Sequence, residues 1–598
     1  METWRYEVSQ SPGLPISQSP NLPISRSLFK KGMGKNMDYD VAIIGSGIGG
    51  SALAAILARH GQRVVVFEAK SHPRFAIGES LILETSEMMR ALAHFYDVPE
   101  LAYFSTENFL PFAGTTHGIK RHFGFLHHQS GQLHDRRRTL QAVIPKEPHG
   151  HELHLYRQDT DYFMMSTAVA YGATIVQNSP VNDIEPQADH VVIRTASGRQ
   201  VTANYVVDAG GFRSILAQKF GVRDFALQTH SRGMFTHMIN VPCYHQTGGS
   251  QEAYGLPFRM SEGTLHHLFD GGWLWVIPFN NHAEATNPLC SVGLLLDPRQ
   301  YPPRDDLTPE EEFFAFIAQF PSIAAQFANA HAVRDWTRAG RLQYTSNQVV
   351  GDRWALLGHA AGFIDPLFSK GLYASLTAVF ILAHRLLQAK QTGDYSAAAF
   401  ADLQTVTQND VRAADRLVAN SYRSFKDYRL WQVYAVMWLL GAYTELVKLN
   451  MMRAQAGTDR QAYYDQLITL KLVGGGYPAF EAVAQQVDGI MATVDTADET
   501  AVTAAVTQIN QIFRSLDWIA DPFIALLDGK TYLPKNKIRL SLLKPGAGFM
   551  GNGAYKAHFF GDLTMRDLLV YGAKEKVQFA RPYLARQHKK LYQKRAKR

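Results

Sequence analysis

Tyr39–Ile44 reads YDVAII, a continuous apolar run, and Gly45-Ser46-Gly47-Ile48-Gly49-Gly50 follows it without a gap. Such a run predicts a strand buried on both faces of a parallel sheet. Ser51–His60 then predicts a helix, Gly61 its stop, and Arg63–Phe67 (RVVVF) the next strand, ending at Glu68. In this strand-turn-helix context the glycines have separate tasks. Gly45 permits the tight turn, Gly47 lets the backbone approach a pyrophosphate, and Gly50 allows close helix-strand packing. The helix start offers N–H groups and a positive dipole end to phosphate. Glu68 is placed to accept hydrogen bonds from a ribose. The unit predicts a dinucleotide site and excludes a small disulfide scaffold or a wholly disordered chain.

The net charge of +7 over 598 residues invites a nucleic-acid reading, and its location removes that reading. Residues 583–598 carry +7, residues 1–37 carry +3, and the residues between them carry −3. No nucleic-acid partner is expected. The tail from Arg586 onward could give at most weak, salt-sensitive membrane association, because no apolar anchor adjoins it. Cys243 and Cys290 lack metal or redox spacing, which fits a reducing, cytoplasmic setting, and no metal site is expected. His117, His122, His127, His128 and His134 form a cluster without metal-ligand spacing and read as polar loop or pocket surface. The most apolar stretch, Trp431–Val447, is interrupted by Gln432, Tyr434, Gly441, Thr444 and Glu445, so no membrane-spanning helix is predicted. The tandem SQSPGLPI and SQSPNLPI of Ser9–Ile24 cannot pack a core, and residues 1–37 are read as a disordered Ser/Pro-repeat leader, with Met33 and Met37 as alternative starts.

Phe235–Val241, His266–Phe279 and Ser291–Leu296 are rich in β-formers and predict a second sheet, while apolar residues recur at helical spacing from Leu372 to Ala389 and over most of 397–530. The expected fold is α/β plus β: a Rossmann-like domain from 38–225 and 340–390, an inserted substrate-domain sheet from 226–339 with parts of 100–150, a C-terminal helical region from 391–582 and a basic tail from 583–598.

Trp354–Gly371 reads WALLGHAAGFIDPLFSKG, a strand and turn leading to a helix expected over Leu372–Arg385. This segment resembles the second FAD motif of the flavin-dependent halogenase family, within the FAD-containing aromatic hydroxylases. Gly358-His359 and Asp365-Pro366 match the Gly-Asp and Asp-Pro pairs, with His359 replacing the acid. Three further segments extend the resemblance over nearly all of 38–380. Ser71–Ile82 (SHPRFAIGESLI) resembles the stretch that runs beside the flavin, with Arg74 and Ser80 of its Gly78-Glu79-Ser80 turn. Arg157 and Asp161 match the pair opening the next helix, and Val207–Gly211 (VDAGG), with Asp208, resembles the turn closing over the cofactor. Trp273–Pro278 (WLWVIP) matches the WxWxIP signature. Trp273, Trp275 and Ile277 alternate along a strand and share one face; the resemblance implies that the tryptophans also hold substrate away from the isoalloxazine.

Phe363, Pro366, Ser369 and Gly371 satisfy FxxPxxSxG. The backbone N–H groups of Ser369, Lys370 and Gly371 are expected at a helix start, where an anion is favoured, and the resemblance implies halide there, beside flavin C4a. Lys370 would pair with that anion or fill its site. Aligning Gly118–Phe125 (GIKRHFGF) places Lys120 on the lysine by which family members deliver the oxidised halogen, and Phe368 stands where tryptophan halogenases carry a glutamate. The resemblance thus implies an FAD-dependent monooxygenase-type oxidoreductase using FADH₂ from a separate flavin reductase, O₂ and halide. Its substrate would be an aromatic, phenolic or pyrrolic small molecule, free or carrier-tethered, rather than free tryptophan. A non-halogenating FAD hydroxylase and a catalytically silent, membrane-associated flavin-binding protein are the alternatives.

Overall fold

In the computed structural model, which describes residues 37–146, 148–533 and 553–577, the apolar run Tyr39–Ile44 is the centre of a sheet. Val41, Ala42 and Ile43 are fully enclosed. The strand pairs in parallel with Val64–Phe67 on one side and Gln200–Asp208 on the other. Thr174–Val176 extends the first side and Trp354–Leu356 the second, both in parallel. Helix Ile48–Arg59 covers one face, packed between helices Arg157–Ala170 and Lys370–Thr392. This is the Rossmann-like arrangement that the βαβ unit predicts. Helix Lys370–Thr392 outruns the expected Leu372–Arg385 at both ends. The expected leader and basic tail lie outside the described residues, apart from Met37.

The second sheet is larger than the expected segments. Arg232–Ile239, Cys290–Leu296, Gly272–Pro278 and Thr264–Phe269 run antiparallel in that order, and His122–His127 joins Thr264–Phe269 in parallel, followed by Thr139–Val143. His266–Phe279 is not one strand: the turn at Asp270-Gly271 splits it into a hairpin, in which His266 lies opposite Trp275. The last strand, Tyr532–Leu533, comes from the region expected to be helical. It follows the run of helices from Ala401 to Leu527 and ties them back to the sheet.

Among those helices Ala401–Ser424 and Tyr428–Ala456 are the longest. The second contains the apolar stretch Trp431–Val447, most of it buried within the protein, with Gln432, Ala442, Tyr443, Leu446 and Val447 half-buried. Among the described residues one helix, Lys370–Thr392, has the length and apolar composition of a membrane span, and 67% of that window is buried inside the fold. Its apolar character is spent on Ile48–Arg59 and Leu83–Tyr96.

Candidate active site

The glycine turn is built as its spacing requires. Gly45 holds φ +98, and a side chain there would meet the carbonyl of Ala209 at 2.7 Å; a Cβ on Gly50 would meet the Gly45 carbonyl at 2.1 Å. At Gly47, by contrast, a Cβ would find no protein atom closer than 3.8 Å, so the turn is open where a pyrophosphate is expected. Glu68 at the end of the second strand accepts from the Ser46 N–H at 3.0 Å and its hydroxyl at 2.9 Å, and Arg74 donates to it at 3.2 Å. Burial opposes the charge, but Arg74 and these donors hold the carboxyl below its ordinary range. Asp208 spends its carboxylate on its own turn, accepting from Gly210 N–H at 2.8 Å, Ser214 Oγ at 2.7 Å and Leu216 N–H at 3.0 Å. These residues cluster around the carboxyl ends of the central strands.

The remaining sequence candidates, Lys120 excepted, meet in one cleft. Ser80, Arg157, Trp273, Trp275, Gly358, Asp365, Ser369, Lys370 and Gly371 all line it, and it encloses about 1300 Å³, open solvent at its mouth included. Arg157 braces the Gly78-Glu79-Ser80 turn by donating to the Gly78 carbonyl at 3.1 Å while Asp161 holds its Nε at 2.7 Å. Asp365 is held by four protein donors: Trp273 Nε1 at 3.2 Å, Leu367 N–H at 3.0 Å, Ser231 Oγ at 2.8 Å and Tyr422 OH at 3.0 Å. Burial raises its pKa to about 6 in spite of them.

The anion loop differs from its expected form in two ways. Ser369 has a left-handed φ of 55, and its N–H donates to the Pro366 carbonyl at 2.9 Å, so only Lys370 and Gly371 are left at the helix start. The Lys370 ammonium is taken up by two protein carboxylates. It donates to Glu84 Oε1 at 2.7 Å and to Glu445 Oε2 at 2.9 Å, and these carboxylates keep it charged despite burial. Glu445 belongs to the stretch Trp431–Val447, and an acid inside an apolar helix was the signal that a buried cation faces it. Asp410 lines the same side of the cleft, its pKa raised to about 8 by burial and by repulsion from Glu445.

Lys120 is wholly buried. Its register partner is Glu152, so the two side chains share one face of the two-stranded ribbon. Nζ donates to Ser80 Oγ at 2.7 Å and to the Leu81 carbonyl at 2.6 Å, and lies 3.4 Å from the centre of the Phe123 ring. Burial drives its pKa well below the ordinary lysine value, against the attraction of Glu152 and Glu84. Glu152 itself is pushed by burial to about 7. Thr264 and His154, which sequence reasoning missed, continue the network from Ser80.

The histidine cluster is core rather than loop surface. His117, His122, His127 and His128 are buried. His122 donates to the Arg259 carbonyl at 2.9 Å and His127 to that of Phe425 at 2.7 Å, and burial lowers both to about 4. Among the described residues no group of three His, Cys, Asp or Glu side chains is placed to hold a metal. Cys243 and Cys290 are free thiols.

These features fit FAD. Gly47 opens helix Ile48–Arg59 with no capping side chain and no acid in its first turn, which leaves the helix start for the pyrophosphate. His359, on the cleft wall, has an Nε2 that is buried without a partner, and burial keeps the ring neutral with a pKa of about 4. It stands ready to hydrogen-bond a bound ring or ribityl group.

Comparison with known proteins agrees with this reading. The FAD binding domain family model matches residues 38–397. The chain is 44% identical over 424 residues to monodechloroaminopyrrolnitrin halogenase PrnC of Pseudomonas fluorescens, covering 70% of this chain and 73% of the relative. It is 38% identical over 504 residues to tetracycline 7-halogenase of Kitasatospora aureofaciens, covering 83% and 90%. The crystal structure of halogenase PltM in complex with phloroglucinol and FAD superposes with a TM-score of 0.78 at 32% identity, over 83% of this chain and 99% of that one. With its glycine turn, flavin-side cleft and enclosed lysine, the chain belongs to the FAD-binding flavin-dependent halogenases.

Proposed function

We propose that this protein halogenates an electron-rich aromatic or pyrrolic small molecule, free or carrier-tethered, using halide, O₂ and reduced FAD supplied by a separate flavin reductase. The observation that carries the reading is Lys120, shut away from water and joined to the cleft wall through Ser80. Reduced FAD, when bound, would give O₂ the two electrons that turn it into an oxidant able to take two electrons from halide. The protein's part is placement. Gly45–Gly50, Glu68 and Arg74 hold the nucleotide end, and His359 with the 365–371 loop meets the flavin end. The N–H groups of Lys370 and Gly371 favour a halide. Trp273, Trp275 and Ile277 wall the cleft, and Lys120 offers the oxidised halogen a hydrogen-bond donor in a dry site. Phe368 packs on Trp438 with ring centres 4.6 Å apart, a buried aromatic pair at the position where the resemblance gives tryptophan-directed enzymes a carboxylate. The relatives named for tetracycline and monodechloroaminopyrrolnitrin, and the one crystallised with phloroglucinol, support a ring-bearing substrate.

The test supplies FADH₂, O₂ and bromide with an activated phenol and separates the products by chromatography. Brominated phenol is expected, and Lys120→Ala should keep FAD while losing about 100-fold or more in rate. Hydroxylated but never brominated product would overturn the proposal in favour of a hydroxylase.

A further inference from the structure

The hydroxyl of Ser80 that receives Lys120 is itself the end of a chain of hydrogen bonds with a fixed direction. His154 Nδ1 lies 3.0 Å from the Pro278 carbonyl. A carbonyl can only accept, so Nδ1 carries the proton, and on a neutral ring Nε2 is then an acceptor. Nε2 lies 2.9 Å from Thr264 Oγ1, so Thr264 donates to it. The Thr264 oxygen, its proton committed, accepts from Ser80 Oγ at 2.8 Å. Ser80, its own proton committed, accepts from Lys120 Nζ at 2.7 Å. The ring is neutral because burial takes its pKa to about 3, aided by repulsion from Lys120. All four side chains are buried, and the anchoring carbonyl belongs to the last residue of Trp273–Pro278.

We propose that His154 and Thr264 are positioning residues for Lys120, acting through Ser80 to keep it a hydrogen-bond acceptor toward the lysine. With Ser80 and the Leu81 carbonyl both accepting, two of the three Nζ valences are fixed, and the third, facing Phe123, is the one left to titrate. Breaking the chain at Thr264 frees the Ser80 proton to turn toward Nζ and donate to the neutral amine. That stabilises the amine over the ammonium and occupies its lone pair. The inference rests on the proposed role of Lys120. The other groups acting on its charge are Glu152 and Glu84, which favour the ammonium, and His122 and His266, neutral by burial.

The experiment measures halogenation against pH in the holoenzyme for wild type, Thr264→Val, Thr264→Ser and Lys120→Ala, with FAD affinity followed separately by flavin fluorescence. Thr264→Val removes the hydroxyl at nearly constant shape. It should lower the rate about tenfold and move the limb of the profile that reports Lys120 down by about half a pH unit or more, with FAD affinity unchanged. Thr264→Ser should restore both. A wild-type profile and rate in Thr264→Val, with Lys120→Ala inactive, would overturn the relay and leave the role of Lys120 standing. An active Lys120→Ala would overturn both. Equal losses in Thr264→Val and Thr264→Ser would show packing and overturn the relay.

Discussion

The indole N–H of Trp273 donates to the carboxylate of Asp365 at 3.2 Å, across 92 positions of sequence. One residue opens the WxWxIP strand and the other precedes the Pro of FxxPxxSxG, so the two signatures meet in a hydrogen bond. The β-sheet and the flavin-side loop are locked to each other where the cleft needs a rigid wall. Ser231 and Tyr422 add donors from the sheet domain and the helical region, so one carboxylate joins three parts of the chain.

That carboxylate is expected to cost stability at neutral pH. Its pKa in the fold is about 6, raised by burial from an ordinary 3.8. Between those values the folded state holds a proton that the unfolded state has released, so stability falls as pH rises through this window and stays lower above it. The charged form is disfavoured by roughly 3 kcal/mol at neutral pH. Asp365→Asn keeps the shape and carries no charge, and the hydroxyls of Ser231 and Tyr422 can rotate to meet the amide. Thermal unfolding followed against pH should show that the variant loses this part of the slope and gains stability near neutrality. Equal slopes in both proteins would refute the assignment.

Lys370 is expected to matter for folding more than for halide. Removing it leaves Glu84 and Glu445 buried side by side without their cation, and breaking such a pair costs about 3–5 kcal/mol. Lys370→Met should therefore lower the denaturant midpoint sharply. Adding Glu445→Gln removes one stranded charge, so the double variant should be more stable than Lys370→Met alone. A double variant that is weaker still would show that the charges are not coupled in this way.

The nucleotide half of the site was legible because its chemistry is local: Gly45–Gly50, its strand and Glu68 lie within one supersecondary unit. Lys120 and the two signature segments were legible through resemblance. What stayed hidden depends on partners brought from far away in sequence. The Glu445 carboxylate meets Lys370 from 75 positions off, and Thr264 meets Ser80 from 184. The histidines from His117 to His134 read as loop because polar residues in series suggest exposure, yet His117, His122, His127 and His128 are buried, each against an acceptor or a ring partner that no local pattern announces. The hairpin at Asp270-Gly271 was missed for a related reason: both its strands are buried, so the apolar character runs on through the turn.

The glycine turn offers the sharpest separation of folding from cofactor binding. At Gly50 a methyl group would sit 2.1 Å from the Gly45 carbonyl, a backbone atom that cannot move without breaking the turn. At Gly47 the same methyl would meet nothing of the protein within 3.8 Å and would enter only the space in which the pyrophosphate is expected. Gly47 also has an ordinary φ of −68, so alanine adds no backbone strain there. Gly47→Ala should keep the melting temperature of the FAD-free protein within about 2 °C of wild type while weakening FAD binding by about tenfold or more. Gly50→Ala should lower the FAD-free melting temperature itself. The pair is read by calorimetry of the stripped proteins and by titration with FAD. A Gly47→Ala protein that binds FAD as wild type does would move the pyrophosphate away from this turn, and with it the assignment of the helix start as its seat.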